Sequence, residues 1–109
     1  MKIIYSPLFE REIKTLARRH RSIAQDFIHL VNDLRINPIQ GKSLGKDCYK
    51  IRMAVSSKNK GKSGGARVDT CVKRIDDILY FLSIFDKSDK EDLDEGELDA
   101  ILKSLGLKP

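Results

Sequence analysis

Six positive side chains, Lys50, Arg52, Lys58, Lys60, Lys62 and Arg67, fall within residues 50–67, and no Asp or Glu interrupts them. Like charges this close along a chain repel one another, so without an anion the arrangement costs stability. The pattern therefore points to an anionic ligand, and the residue types suit a phosphodiester. The guanidinium fork of Arg fits two phosphate oxygens, and the Lys ammonium supplies a point charge. Ordinary outward charges on a solvated sheet face would account for any single lysine here, but less well for the unbroken set.

Other chemistries find little support. Gly61-Lys62-Ser63 looks like the end of a nucleotide phosphate loop, but Ser56 stands where that loop needs its first glycine. The loop also needs a following helix, whereas Gly64-Gly65-Ala66-Arg67-Val68 reads as a turn into a strand, so nucleotide hydrolysis is excluded. His20 sits in an Arg-rich helix end, as a solvated residue or a partner of the helix dipole. His29 falls off the apolar stripe of its helix. Neither histidine joins the basic stretch, which argues against a histidine nuclease. Cys71 is expected on the outer face near Arg67, where cations would lower its pKa; the competing reading is an inert strand residue. Two Cys and two His without ligand spacing give no zinc signature. No metal and no cofactor are expected.

The elements that position these residues must come from a small core. The 109 residues fit one domain spanning 1–109, with 40% hydrophobic and 34% charged residues. Residues 1–87 carry 18 Lys+Arg against 9 Asp+Glu, whereas residues 88–109 carry 3 against 7. A basic body with an acidic tail favours a polyanionic partner. No apolar run is long enough to span a membrane, and the N-terminus does not read as a signal peptide. The expected location is cytoplasmic, with Cys48 and Cys71 as reduced thiols.

Lys2 to Tyr5 reads as an edge strand. Ser6-Pro7 then starts a helix over about residues 7–19, with Phe9, Ile13, Leu16 and Ala17 on its apolar face. A second helix begins near Ser22, with a Ser22/Gln25 capping box. It buries Ile23, Phe27, Leu30, Val31 and Leu34 and stops at Asn37-Pro38. Residues 37–46 read as a loop. Tyr49, Ile51, Met53 and Val55 then alternate with Lys50, Arg52 and Ala54, which predicts a half-buried strand with the cations outward. Residues 56–65 form a basic loop. Strands follow over 66–75 and 78–85, joined by a tight turn at Asp76-Asp77. Arg67, Asp69, Cys71 and Lys73 share the outer face of the first of them, and the second lies inside the sheet. Leu98, Ile101, Leu102 and Leu105 mark a last helix, started by Asp94 and Glu97 and closed by Gly106. Asp92, Asp94 and Glu95 favour its N-terminal end; the alternative is that the acidic segment shields the basic face. The order β-α-α-β-β-β-α predicts an α+β fold. An N-terminal strand and a helical hairpin pack on a mostly antiparallel, four-stranded sheet, with all helices on one face.

Three segments carry a family resemblance: Tyr49-Lys50-Ile51-Arg52, Gly61-Lys62-Ser63-Gly64-Gly65-Ala66-Arg67-Val68, and Leu82-Ser83-Ile84-Phe85-Asp86-Lys87-Ser88. Together they resemble the RelE/ParE toxin superfamily. The lysine–glycine loop before a Gly-Gly-x-Arg strand is most similar to its HigB-type branch. The resemblance covers nearly the whole chain. It implies the toxin of a bacterial type II toxin–antitoxin system, an mRNA endoribonuclease acting on ribosome-bound mRNA and inhibiting translation. The implied partners are a cognate antitoxin, mRNA and the ribosome, with no membrane, and a toxin–antitoxin hetero-oligomer on operator DNA. By position, Lys50 and Arg52 match the family's basic strand pair and Arg67 its phosphate-binding arginine. Lys87 falls where the family places a basic residue after the last strand. Several members stack a C-terminal aromatic on the substrate base; the nearest position here is about Leu93. Asp69 and Cys71 depart from the family's more apolar strand. An acid at position 69 would partly offset Arg67, or bridge to Arg67 or Arg52.

The implied reaction is attack of a ribose 2′-OH on the adjacent phosphate with loss of the 5′-oxygen. Lys50, crowded by Arg52 and Arg67, is the candidate base. Arg52 and Arg67 would hold the phosphate oxygens, Lys87 would assist the leaving group, and Lys58, Lys60 and Lys62 would anchor RNA or ribosome. Two rival readings are a gyrase-poisoning ParE-like toxin and a non-catalytic RNA- or ribosome-binding module.

Overall fold

Ser6 Oγ accepts a hydrogen bond from the Phe9 N–H at 2.9 Å, and Pro7 follows it, so α1 (Pro7–Arg19) begins at the Ser-Pro pair. Such a cap contributes about 1 kcal/mol. The same hydroxyl donates to Leu82 O at 2.6 Å, which ties the helix start to the sheet. The computed structural model describes residues 1–58 and 64–109. Around α1 lie β1 (Lys2–Tyr5), α2 (Ile23–Ile36), β2 (Lys42–Gly45), β3 (Cys48–Met53), a 3-10 turn at Ser56–Lys58, β4 (Ala66–Lys73), β5 (Ile78–Asp86) and α3 (Glu97–Ser104).

The sheet has five strands in the order β1-β5-β4-β3-β2. β1 runs parallel to β5, and every other neighbouring pair is antiparallel, so the sheet is mixed. The fifth strand, β2, comes from residues expected to be loop. It is four residues long, with Leu44 its only apolar side chain, and two left-handed glycines, Gly41 and Gly45, bound it. So short a segment shows no alternation to read. Gly41 is required by close approach as well: a Cβ there would lie 2.1 Å from Lys50 O.

The helices do not share one face. α1 and α2 bury Phe9, Leu16, Ile23, Leu30 and Leu34 against Ile51, Val68, Leu79 and Ile84. Tyr5, Phe9, Phe27 and Phe81 form an aromatic cluster here, with Phe27 edge-on to Phe81 at 4.9 Å. Ala17, placed on the apolar face by spacing, is exposed. α3 packs on the opposite face, where Ile101 and Leu102 cover Cys48, Cys71, Tyr80 and Leu82. It ends as its glycine dictates, with left-handed Gly106 and a Leu107 N–H to Leu102 O bond of 2.9 Å. Because α3 covers only part of that face, the remainder stays open.

A bulge in β5 decides what the open part presents. Asp69 pairs with Ser83 but Thr70 pairs with Phe81, so Leu82 is the extra residue. Beyond it, Ile84 returns to the helical-hairpin side, while Ser83 and Phe85 face the same way as Asp69 and Arg67. The turn between β4 and β5 spans Arg74 to Asp77, with Asp77 left-handed. β4 thus ends two residues earlier than spacing suggested.

Candidate active site

β3 and β4 set the positions of the central cations. Tyr49 and Ile51 turn toward the helical hairpin, which sends Lys50 and Arg52 to the open face. Across the ladder Arg52 is paired with Arg67, and Lys50 with Asp69. Lys87 follows β5, its N–H bonded to Gly65 O at 3.2 Å, which holds it beside the start of β4. Lys50, Arg52, Arg67 and Lys87 together line one cleft of about 720 Å³, with Gln40, Gly41, Lys42, Ile51 and Glu91 completing its wall. Four of the seven expected site residues therefore meet. Lys42 is a fifth cation that sequence reasoning missed. It stands opposite Lys50 on β2, the strand taken for loop.

Arg67 differs from the others because it is buried, only 4% exposed, although its position faces outward. Its Nε donates to Asp69 Oδ1 at 2.9 Å, and its Nη1 pairs with Asp92 Oδ1. The guanidinium lies over the Phe85 ring, 5.4 Å from the centroid. Nη2 has no hydrogen-bond partner among the described residues. A buried guanidinium nitrogen left unpaired costs free energy, and because Arg67 lines the cleft, moving Asp92 aside would open the guanidinium to an anion.

Asp69 is completely buried between Arg67 and the Ser83 hydroxyl, which donates to Oδ2 at 2.5 Å. Burial pushes its pKa above the ordinary carboxylate value, against the pull of Ser83 and Arg67. Of the two bridges open to it, Asp69 makes the one to Arg67. Asp92 is 65% exposed at its side chain, and its hydrogen bond to Arg67 holds its pKa below the usual range. Asp92 was expected to favour the start of the last helix; instead it covers Arg67, so the shielding alternative holds for this residue. Glu97 serves the helix start, accepting from the Asp94 N–H at 2.8 Å.

The remaining expectations divide. Lys58 is drawn out of the cleft, its Nζ 2.8 Å from Asp86 Oδ1, with both side chains nearly buried. Lys60 and Lys62 lie outside the described residues. His20 ends α1 and its Nε2 sits 2.8 Å from Asp86 Oδ2. Burial alone would raise Asp86, but Lys58, the Ser88 N–H and His20 outweigh it and hold the carboxyl well below its ordinary range. Ser22 makes no cap; its hydroxyl donates to Asp26 and accepts from the Ser57 N–H, while Gln25 turns to His29. Cys71 faces outward but lies under α3, fully buried opposite Cys48. The Cys48 thiol, not Arg67, lowers its pKa, and burial keeps reagents away. Leu93 is half-buried, and the aromatic nearest the cleft, Phe85, is buried beneath Arg67 and Lys90. Among the described residues, no group of three or more His, Cys, Asp or Glu could hold a metal ion, and no helix is long and apolar enough to cross a membrane.

Three helices and a five-stranded mixed sheet with a cationic cleft on its half-open face define a RelE-like α+β fold. The free-state structure of the E. coli toxin RelE, in a double arginine-to-alanine variant, shares it at 16% identity and a TM-score of 0.57. The match covers 83% of this chain and 86% of that one. The family model described as the RelE toxin of the RelE/RelB toxin–antitoxin system matches residues 1–106, and the chain belongs to this family. It is thus a toxin of a toxin–antitoxin pair, with a cognate antitoxin as its partner. A search of curated proteins finds no match.

Proposed function

We propose that this toxin is an endoribonuclease of the HigB-type branch that cuts ribosome-bound mRNA in the cytoplasm and so inhibits translation. The observation that carries the reading is Arg67: a buried guanidinium at the cleft wall with an unpartnered Nη2, flanked by Lys42, Lys50, Arg52 and Lys87. Donors already fixed by the fold, as Nε is by Asp69, stabilise developing negative charge with little reorganising beyond the release of Asp92. In the reaction, the ribose 2′-oxygen attacks the adjacent phosphorus and the bond to the 5′-oxygen breaks. Lys50 takes the 2′-hydroxyl proton and Lys87 supplies one to the departing oxygen. Arg52 and Arg67 hold the non-bridging oxygens, with Asp92 displaced from Nη1. Lys42 extends the phosphate track along β2. Lys60 and Lys62 anchor RNA or ribosome, whereas the pairing of Lys58 with Asp86 favours a structural role for it. The antitoxin is expected to neutralise the toxin, and the hetero-oligomer to bind operator DNA.

The test is to induce the protein in bacteria and map mRNA 5′ ends, with and without the antitoxin gene. New ends inside reading frames, lost with the antitoxin or with Arg67→Ala, are expected. Arg67→Ala leaves buried Asp69 without its cation, which costs stability, so circular dichroism checks its folding, and Arg67→Ala combined with Asp69→Asn, which has no orphaned charge, is the second variant. A folded and fully active Arg67→Ala toxin would overturn the assignment. DNA damage with intact mRNA would favour gyrase poisoning, and tight, salt-sensitive RNA binding without cuts a non-catalytic module.

A further inference from the structure

While charged, every basic group on the cleft wall is a hydrogen-bond donor only. Lys42, Lys50, Arg52, Arg67 and Lys87 can grip a phosphate, but they offer nothing to the amino group of a base. Two other side chains of the wall do offer an acceptor, the exposed carboxylate of Glu91 and the amide of Gln40, and the Gln40 amide is the one anchored by hydrogen bonds among the described residues. Its Nε2 donates to Asn37 O at 2.8 Å and to Asp33 O at 3.1 Å, both carbonyls at the C-terminal end of α2. Since both neighbours are acceptors, the amide can be oriented only one way, with nitrogen toward α2. Oε1 is left as an acceptor with no donor among the described residues. Gln40 lines the same cleft as the five cations. The next residue, Gly41, lies so close to Lys50 O that a Cβ there would clash, which sets the path of the backbone at Gln40.

We propose that Gln40 Oε1 selects the base next to the bound phosphate, favouring adenine or cytosine, each of which presents an exocyclic amino group, over uracil, which has none. A fixed acceptor pairs with the amino N–H of adenine or cytosine. Against uracil it meets two carbonyl oxygens flanking a single imino N–H. The discrimination available from one such hydrogen bond is about fivefold, within the range for a single neutral contact. The inference rests on the reading of the cleft as an RNA site, but it concerns recognition and not the cleavage step.

The experiment separates the two. The probes are a 2′-O-methyl uridine hexamer and the same hexamer carrying one adenine or cytosine at each position in turn. These cannot be cut, and binding is read by fluorescence anisotropy. The wild type should bind the best-placed adenine or cytosine probe about fivefold tighter than the uridine hexamer. Gln40→Met should bring that ratio to about one by weakening the amino-bearing probes. A role confined to bracing α2 would weaken all probes alike, and that result overturns the proposal. So does equal binding of all hexamers by the wild type, or binding of none. Gln40→Glu, which keeps an acceptor but loses both donors to α2, should retain part of the preference if it folds. Cutting of unmodified RNA is assayed separately. Base preference in binding without any cutting supports this inference and removes the endoribonuclease reading.

Discussion

The three nitrogens of Arg67 have three different environments, and this asymmetry decides what the residue does. Nε is fixed by buried Asp69, Nη1 is held by the exposed carboxylate of Asp92, and Nη2 has no partner among the described residues. Of the two acids, Asp92 is the one a substrate can displace, since its side chain is 65% exposed and solvent screens the pair. Asp92→Asn should therefore strengthen binding of a non-cleavable RNA by about threefold to tenfold, the range for losing a partly screened ion-pair competitor. Unchanged affinity in a titration would mean that Asp92 does not compete for the site. Much at this scale could be read in the sequence. Strand alternation put Lys50, Arg52, Arg67 and Asp69 on one face and left Asp69 to bridge either Arg67 or Arg52, of which the structure makes the first. The burial of Arg67 could not be read, because Asp92 arrives from 25 residues further along the chain. The fixed orientation of Gln40 was hidden for the same reason: it depends on carbonyls of a preceding helix.

At the scale of elements, β1 covers β5 only as far as Phe81, and α1 must satisfy the rest of that edge. Ser6 does so at Leu82 O, and Glu12 accepts from the Ile84 N–H at 3.2 Å. Burial pushes the Glu12 pKa up to about 7. A carboxyl raised in the folded state stabilises the fold fully below its unfolded value, and that contribution is lost as pH rises toward 7. Glu12→Gln keeps the acceptor for Ile84 and removes the charge. It should leave stability at pH 5 nearly unchanged and raise it at pH 8 by about 1–2 kcal/mol, discounted for partial exposure. Thermal melts at both pH values check this, and equal shifts at both would sink it. Lys58 belongs to the same scale. Lys58→Ala should destabilise the fold by about 1–3 kcal/mol, since Asp86 keeps His20 and the Ser88 N–H but loses its ammonium. RNA affinity should not change; a loss of affinity with stability intact would return Lys58 to the binding surface. α1 was legible from its spacing and its Ser-Pro cap, α2 from its apolar stripe although Ser22 caps nothing, and β5 from its unbroken apolar run. β2 was not, because four residues bounded by glycines carry no period, and the face chosen by α3 is a tertiary matter that its own stripe cannot specify.

For the whole molecule, the division between a basic body and an acidic C-terminal segment becomes a spatial device. The chain leaving β5 brings Glu91 to the cleft wall and Asp92 onto Arg67, so the tail's charge lies against the cationic cleft of the body. Binding then depends on the cleft cations releasing counterions from RNA as they replace them at the phosphates. If about four of Lys42, Lys50, Arg52, Arg67 and Lys87 contact phosphates, log affinity against log salt should fall with a slope of about −3, at about 0.7 per contact on a single strand. Lys42→Ala should make that slope shallower by about 0.7 and weaken binding to all sequences alike, because a phosphate contact carries no base information. Gln40→Met should do the reverse, leaving the slope unchanged while altering base preference. A slope near zero would show that the cleft does not bind the RNA backbone. An undiminished slope in Lys42→Ala would place the strand on the Arg67–Lys87 side of the cleft, away from β2, and would remove Lys42 from the phosphate track.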